Sequence, residues 1–158
     1  MAFLWMSLFA VAIVLADQLV KYLTVFHIPL YDHVPLLDGV IRLTYVQNTG
    51  AAFSFLQGAR WLFVALFAVI TVFLIYEYFF KRQPFTKLDR WCLAAIYGGG
   101  LGNLIDRIRL GYVVDMFETE FIKFPVFNVA DCFITCGCIL LLVHLTFFNK
   151  AFWKDEKK

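Results

Sequence analysis

Charged side chains are scarce in this chain: Asp, Glu, Lys and Arg make up 16% of its 158 residues, against about 25% in an ordinary soluble domain. The formal net charge is only +2, and the basic residues are not gathered on one face, which excludes nucleic acid as a partner. Cysteine is confined to Cys92, Cys132, Cys136 and Cys138. No second Cys or His pair stands at ligand spacing, so the four thiols read as small buried hydrophobes rather than disulfides or metal ligands. His27, His33 and His144 are scattered singly, and neither Ser7 nor Ser54 has a Lys or His partner at hand. A metal site, a histidine base and a serine nucleophile are therefore not indicated. Internal repeats and low-complexity linkers are missing too. No Lys or Arg precedes the first apolar run, as the leading region of a secretory signal usually requires, so MAFLWMSLFAVAIVLADQ is expected to stay as a helix. No cysteine follows it closely, which argues against a lipoprotein precursor.

What the chain has instead is apolar surface. Hydrophobic residues make up 62% and aromatic ones 19%, more than a core of this size hides in water, so lipid must solvate part of it. The expected fold is an all-α polytopic membrane protein forming one domain over 1–158, with four transmembrane helices at about 2–24, 60–80, 91–106 and 129–148. The third is short and carries Gly98, Gly99, Gly100 and Gly102; small residues suit helices that approach closely in lipid. Lys81, Arg82, Lys87 and Arg90 fall in one connecting loop, and Lys150, Lys154, Lys157 and Lys158 in the tail. By the positive-inside rule both termini face the cytoplasm and the longer loops, about 25–59 and 107–128, face outward. Ile41, Leu43 and Tyr45 alternate with Arg42, Thr44 and Val46, and Tyr112–Phe117 is rich in strand formers. A small extracytoplasmic sheet on the helix ends follows.

Ionisable residues inside such helices are candidates for function by default. Asp17 and Lys21 lie four apart on one helix face; they read as an internal ion pair or as parts of a site. Asn103, Asp106 and Arg107 share a face near the outer end of the third helix. There Arg107 has the fork to clamp a carboxylate or carbonyl, although a network tying the helix end to the loop is favoured. Asp115, between Val113-Val114 and Met116-Phe117, is either an exposed loop acid or a residue placed for chemistry. Asp131 stands three residues after Asn128, the spacing of a reciprocal helix cap, and capping is its favoured reading.

Taken together, DQLVK at 17–21, QNTGAAFSF at 47–55, GNLIDRIRLGYVVDMFE at 102–118 and FNVADCF at 127–133 resemble the lipoprotein signal peptidase family, or signal peptidase II. The four blocks come in the family's order and span most of the chain. The resemblance implies an aspartic endopeptidase of the bacterial plasma (inner) membrane, active near the extracytoplasmic face. Such an enzyme removes the signal peptide of prolipoproteins on the amino side of a cysteine that carries diacylglycerol. It implies Asp115 and Asp131 as the catalytic pair, Asn48, Asn103, Arg107 and Asn128 as residues lining the site, and Asp17 and Lys21 as support. It also implies a β-cradle above the four helices, no metal or cofactor, contact with membrane lipid, and inhibition by globomycin-type cyclic peptides. In the implied mechanism the pair shares one proton, and Asp131, at a helix start, is the expected base. Two rival classes fit less well. A coupled transporter would want acids at mid-membrane in repeated halves, and a non-enzymatic scaffold has no need of both acids.

Overall fold

The first apolar run folds as one helix, α1 (Ala2–His27), a little longer than expected. Nothing inside it breaks a helix; it stops just before Pro29, which disfavours helical geometry in the residue that precedes it. The computed structural model describes residues 2–50, 58–76 and 84–153. Within them β1 (His33–Leu37) and β2 (Ile41–Asn48) form a hairpin, followed by α2 (Arg60–Tyr76), α3 (Lys87–Arg109), β3 (Val113–Thr119) and α4 (Val129–Phe147). The expected end of α2 near 80 lies outside the described residues, as do Ser54, Lys81, Arg82, Lys154, Lys157, Lys158 and the 51–55 part of the QNTGAAFSF block.

Helix α3 corrects the expected start at 91. Thr86 caps it: its Oγ1 accepts from the Asp89 amide at 3.3 Å, and the Asp89 carboxylate accepts from the Thr86 amide at 2.8 Å. Lys87 and Arg90 thus sit in the first helical turn rather than in a loop; their charge concealed a T-x-x-D capping signal. The buried face of α3 is small or polar, including Ala95, Gly98, Gly99, Gly102, Asn103 and Asp106, and it packs against both α1 and α4. A Cβ on Gly99 would lie 2.5 Å from the Ala130 carbonyl oxygen, and one on Gly102 would lie 2.6 Å from a carboxylate oxygen of Asp17. Glycine at these two positions is what lets α4 and α1 come this close.

The outward surfaces of α1, α2 and α4 are apolar. Leu15, Val69, Val72 and Leu142 are each about two-thirds exposed, and α2 has no buried residue at all. Among the described residues two helices, Phe3–His27 and Val129–Phe147, are long and apolar enough to cross a membrane, and α2 is a shorter apolar helix. The cysteines depart from expectation. Cys92 is buried, but Cys132 and Cys136 are exposed and Cys138 half-buried, all as free thiols. Helix α4 packs inward through Ala130 and Gly137, which turns 132 and 136 to its open side among Ile139 and Leu140.

The three strands form an antiparallel sheet in the order β1-β2-β3. A register shift between Leu43 and Val46 interrupts the expected alternation, so neighbouring Thr44 and Tyr45 are both buried. Tyr45, Val114, Met116 and Ile28 make the core where sheet meets helix ends. Strand β1 was not foreseen, because every one of its residues is exposed and it shows no alternation. At the opposite end of the helices a second polar cluster joins α3 to α4. The Asp89 carboxylate meets His144 Nδ1 at 2.7 Å and accepts from Asn149 Nδ2 at 2.8 Å, and the same amide reaches the Pro84 carbonyl at 2.9 Å.

Candidate active site

Asp131 is held where the capping pattern puts it, at the third residue of α4. Its carboxylate accepts from the Asn128 amide at 3.2 Å, and its own amide donates to Asn128 Oδ1 at 3.0 Å. That second bond fixes the rotation of the Asn128 side-chain amide, since the oxygen is committed to the helix. Asn128 Nδ2 therefore points away, and it donates to Asp115 Oδ1 at 2.6 Å. One residue thus ties together two acids from different elements, and it is itself fully buried.

Asp115 lies in β3 opposite Val46 of β2 and is 2% exposed; it is not a loop acid. Its second oxygen accepts from Asn48 Nδ2 at 2.9 Å. Burial pushes its carboxyl up to about 6. The neighbouring charge of Asp131 adds to that rise, whereas the Asn48 and Asn128 amides and the Lys21 ammonium oppose it.

Asn103 completes the ring. Lys21 Nζ can only donate, and it reaches Asn103 Oδ1 at 2.9 Å. The Asn103 amide is thereby turned so that its Nδ2 donates to Asp131 Oδ1 at 2.7 Å. Lys21 also meets Asp17 at 2.8 Å and Asp106 at 3.0 Å, with all three side chains at most 3% exposed. The two carboxylates of this triad have matching tasks. Asp17 accepts the backbone amide of Ala130 at 2.9 Å, immediately before Asp131. Asp106 accepts the backbone amide of Val114 at 3.1 Å, immediately before Asp115. Gln18 braces Asp106 from α1 at 2.9 Å. The expected tie from helix end to loop runs from Asp106 into β3, to the residue next to one of the paired acids. Sequence reasoning did not single out Gln18 or the amides of Ala130 and Val114. Gln18 stands in the DQLVK block, but its partner lies 88 residues away.

Of the two partners expected for Arg107, a carboxylate or a carbonyl, the described residues supply carbonyls. Its guanidinium donates to the Gly50 carbonyl at 2.8 Å and the Asn103 carbonyl at 3.3 Å, and lies 4.4 Å above the Phe63 ring. Asn48 Oδ1 accepts the Gly50 amide at 2.9 Å, so Arg107 and Asn48 fix the same turn from two sides. The structure thus brings Asn48, Asn103, Asn128, Asp115 and Asp131 into one cluster, with Asp17 and Lys21 behind it and Arg107 at its flank. Amide donors face both acids and fix the orientation of each carboxyl group. One acid is buried and elevated in pKa, and the other lies half-buried in a first helical turn. That pairing suits acid–base hydrolysis by an activated water.

A family model described as signal peptidase (SPase) II matches residues 9–147. Curated lipoprotein signal peptidases of Streptococcus pyogenes, from a serotype M6 strain and from serotype M1, are each 42% identical over 149 residues. The match covers 92% of this chain and 91% of theirs. Two solved bacterial membrane enzymes share the fold. One has a TM-score of 0.83 at 31% identity, covering 96% of this chain and 92% of the other. The second has a TM-score of 0.79 at 30% identity, covering 90% and 92%.

Proposed function

Because the chain belongs to the signal peptidase II family, we propose that Asp115 and Asp131 are the catalytic pair with which it cuts prolipoproteins. The protein is a membrane aspartic peptidase, a hydrolase. The observation that carries the pairing is Asn128, whose side chain donates to Asp115 at 2.6 Å while its backbone amide donates to Asp131 at 3.2 Å.

Asp131 is the base. It stands at a helix start, takes donors from the Asn128 amide and Asn103 Nδ2, and faces the helix dipole, worth about 0.3–1 kcal/mol to an acid. Asp115, buried, carries the shared proton. Water gives a proton to Asp131 and attacks the scissile carbonyl carbon, while Asp115 protonates the carbonyl oxygen. In the collapse of the resulting diol one hydroxyl returns its proton to Asp115. Asp131 delivers its proton to the leaving nitrogen as the C–N bond breaks, which restores the starting state. Asn48, Asn103 and Asn128 orient the acids; Arg107 holds the adjoining turn; Asp17 and Lys21 support α4 and Asn103.

The substrate carries diacylglycerol on the cysteine after the cut, and its acyl chains stay in the bilayer against the apolar helix faces. All four helices span the bacterial plasma membrane within a single domain. The 23 residues of α3, at about 1.5 Å each, exceed the roughly 30 Å hydrocarbon thickness. Both termini lie in the cytoplasm with Lys87 and Arg90, and the acids lie at the outer face. Globomycin-type cyclic peptides inhibit the cleavage. Purified protein incubated with precursor, and read by mass, should cut the diacylglyceryl-modified form and cut the unmodified form poorly. Equal cleavage of the two would remove lipid from recognition.

A raised carboxyl also sets a pH limb. The Asp115 proton is present below about 6 and is lost as pH rises through it, so kcat/KM should fall on the alkaline side. The Asn48 donor lowers the Asp115 pKa, so Asn48→Ala should move this limb to higher pH. A limb that stays put or moves down in a pH series would contradict the assignment.

A further inference from the structure

A cavity of about 880 Å³ opens directly from Asp115 and Asn48 along the outer part of the sheet. That is near the top of the roughly 300–1,000 Å³ range of ligand sites. Its floor is charged. Arg42 of β2 donates from two nitrogens to Glu118 of β3 at 2.9 and 2.8 Å and comes within 3.8 Å of Glu120. Its outer wall is the segment 119–126, and that wall is fastened at both ends. The Glu120 amide donates to the Val40 carbonyl at 3.0 Å, and Glu120 accepts from the Gly39 amide at 2.8 Å. Beyond it, Phe127 pairs with Phe117 as an isolated bridge.

We propose that this cavity is the binding channel for the polypeptide that follows the scissile bond, the first residues of the mature chain. The proposal rests on the peptidase reading above. A chain crossing Asp115 must leave in two directions. The upstream, apolar direction and the acyl chains are matched to lipid and to the apolar helix faces. They would be poorly matched to the Arg42–Glu118 floor, because covering an ion pair with hydrocarbon forfeits its hydration. The downstream chain has to reach water, and it brings its own backbone N–H and C=O groups to a polar floor. From Asp115 to Thr119 the strand covers roughly 13 Å at about 3.3 Å per residue, room for about four extended residues.

Two experiments test this on the full chain in lipid nanodiscs. In the first, diacylglyceryl-modified precursor carries a benzophenone at the fourth residue after the cysteine and is bound to the Asp115→Asn protein. Its adducts should map to 118–126 or to Arg42; adducts on α2 or α4 instead overturn the proposal. In the second, wild-type protein cleaves lipidated precursors that end one residue or ten residues after the cysteine. The short one should show a roughly tenfold higher KM at similar kcat, equivalent to about 1.4 kcal/mol of lost contact. Equal KM values overturn the channel and leave the peptidase reading standing, whereas failure to cleave the long precursor overturns the peptidase reading itself.

Discussion

Asp115→Asn and Asp131→Asn each lower cleavage of lipidated precursor by roughly 10²- to 10⁴-fold, the usual worth of a positioned acid or base, in a protein that remains folded and inserted. Asparagine keeps the shape and loses the proton chemistry. At Asp115 the substitution keeps a neutral side chain of the same shape in a site that is 2% exposed. One of the two bonds from Asn48 and Asn128 then faces a donor, a modest loss of about 0.5–1.5 kcal/mol. At Asp131 the cap from Asn128 survives in neutral form. The double variant should be little slower than either single one, because the acids act as a unit. Turnover of purified single variants decides the matter: near wild-type cleavage by either removes the pair from the mechanism.

Lys21→Met is the second large effect, and it falls on stability before chemistry. The ammonium lies between Asp17 and Asp106 with less than 4% of any of the three side chains exposed. Removing it leaves two carboxylates buried side by side without a cation, which costs about 3–5 kcal/mol when a buried pair loses one partner. The same loss removes one of the two donors that hold Asn103 Oδ1, leaving only Asn128 Nδ2 at 3.1 Å, so the donor aimed at Asp131 is less firmly fixed. Thermal unfolding in detergent should show a strongly lowered midpoint, and Lys21→Arg should recover part of it. An unchanged midpoint for Lys21→Met would mean that the triad is not the brace described above.

Features that depend on near neighbours were legible in sequence, and those that depend on distant ones were not. The Asn128–Asp131 cap is local, and the structure has it as the spacing implied. The apolar runs placed α1 and α4 to within a few residues. The start of α3 was hidden because Lys87, Asp89 and Arg90 look like a polar loop until the reciprocal bonds of Thr86 are seen. Asp115 was ambiguous because its burial is created by the fold: β2 beside it, and Asn48 and Asn128 brought from either side. The tasks of Asp17 and Asp106 depend on backbone amides 113 and 8 residues away, and no window of sequence contains the first of these.

The cluster of Asp89, His144 and Asn149 lies at the far end of the helices from the paired acids, yet it bears on them. It rivets the beginning of α3 to the end of α4, while Asn103, Asn128 and Asp131 rivet the end of α3 to the beginning of α4. Two antiparallel rods joined at both tips make a frame that resists the splaying of α3 from α4. Of the two acids, Asp131 stands on this frame and Asp115 on β3 beside it. Outside the frame stands α2, which buries no residue of its own.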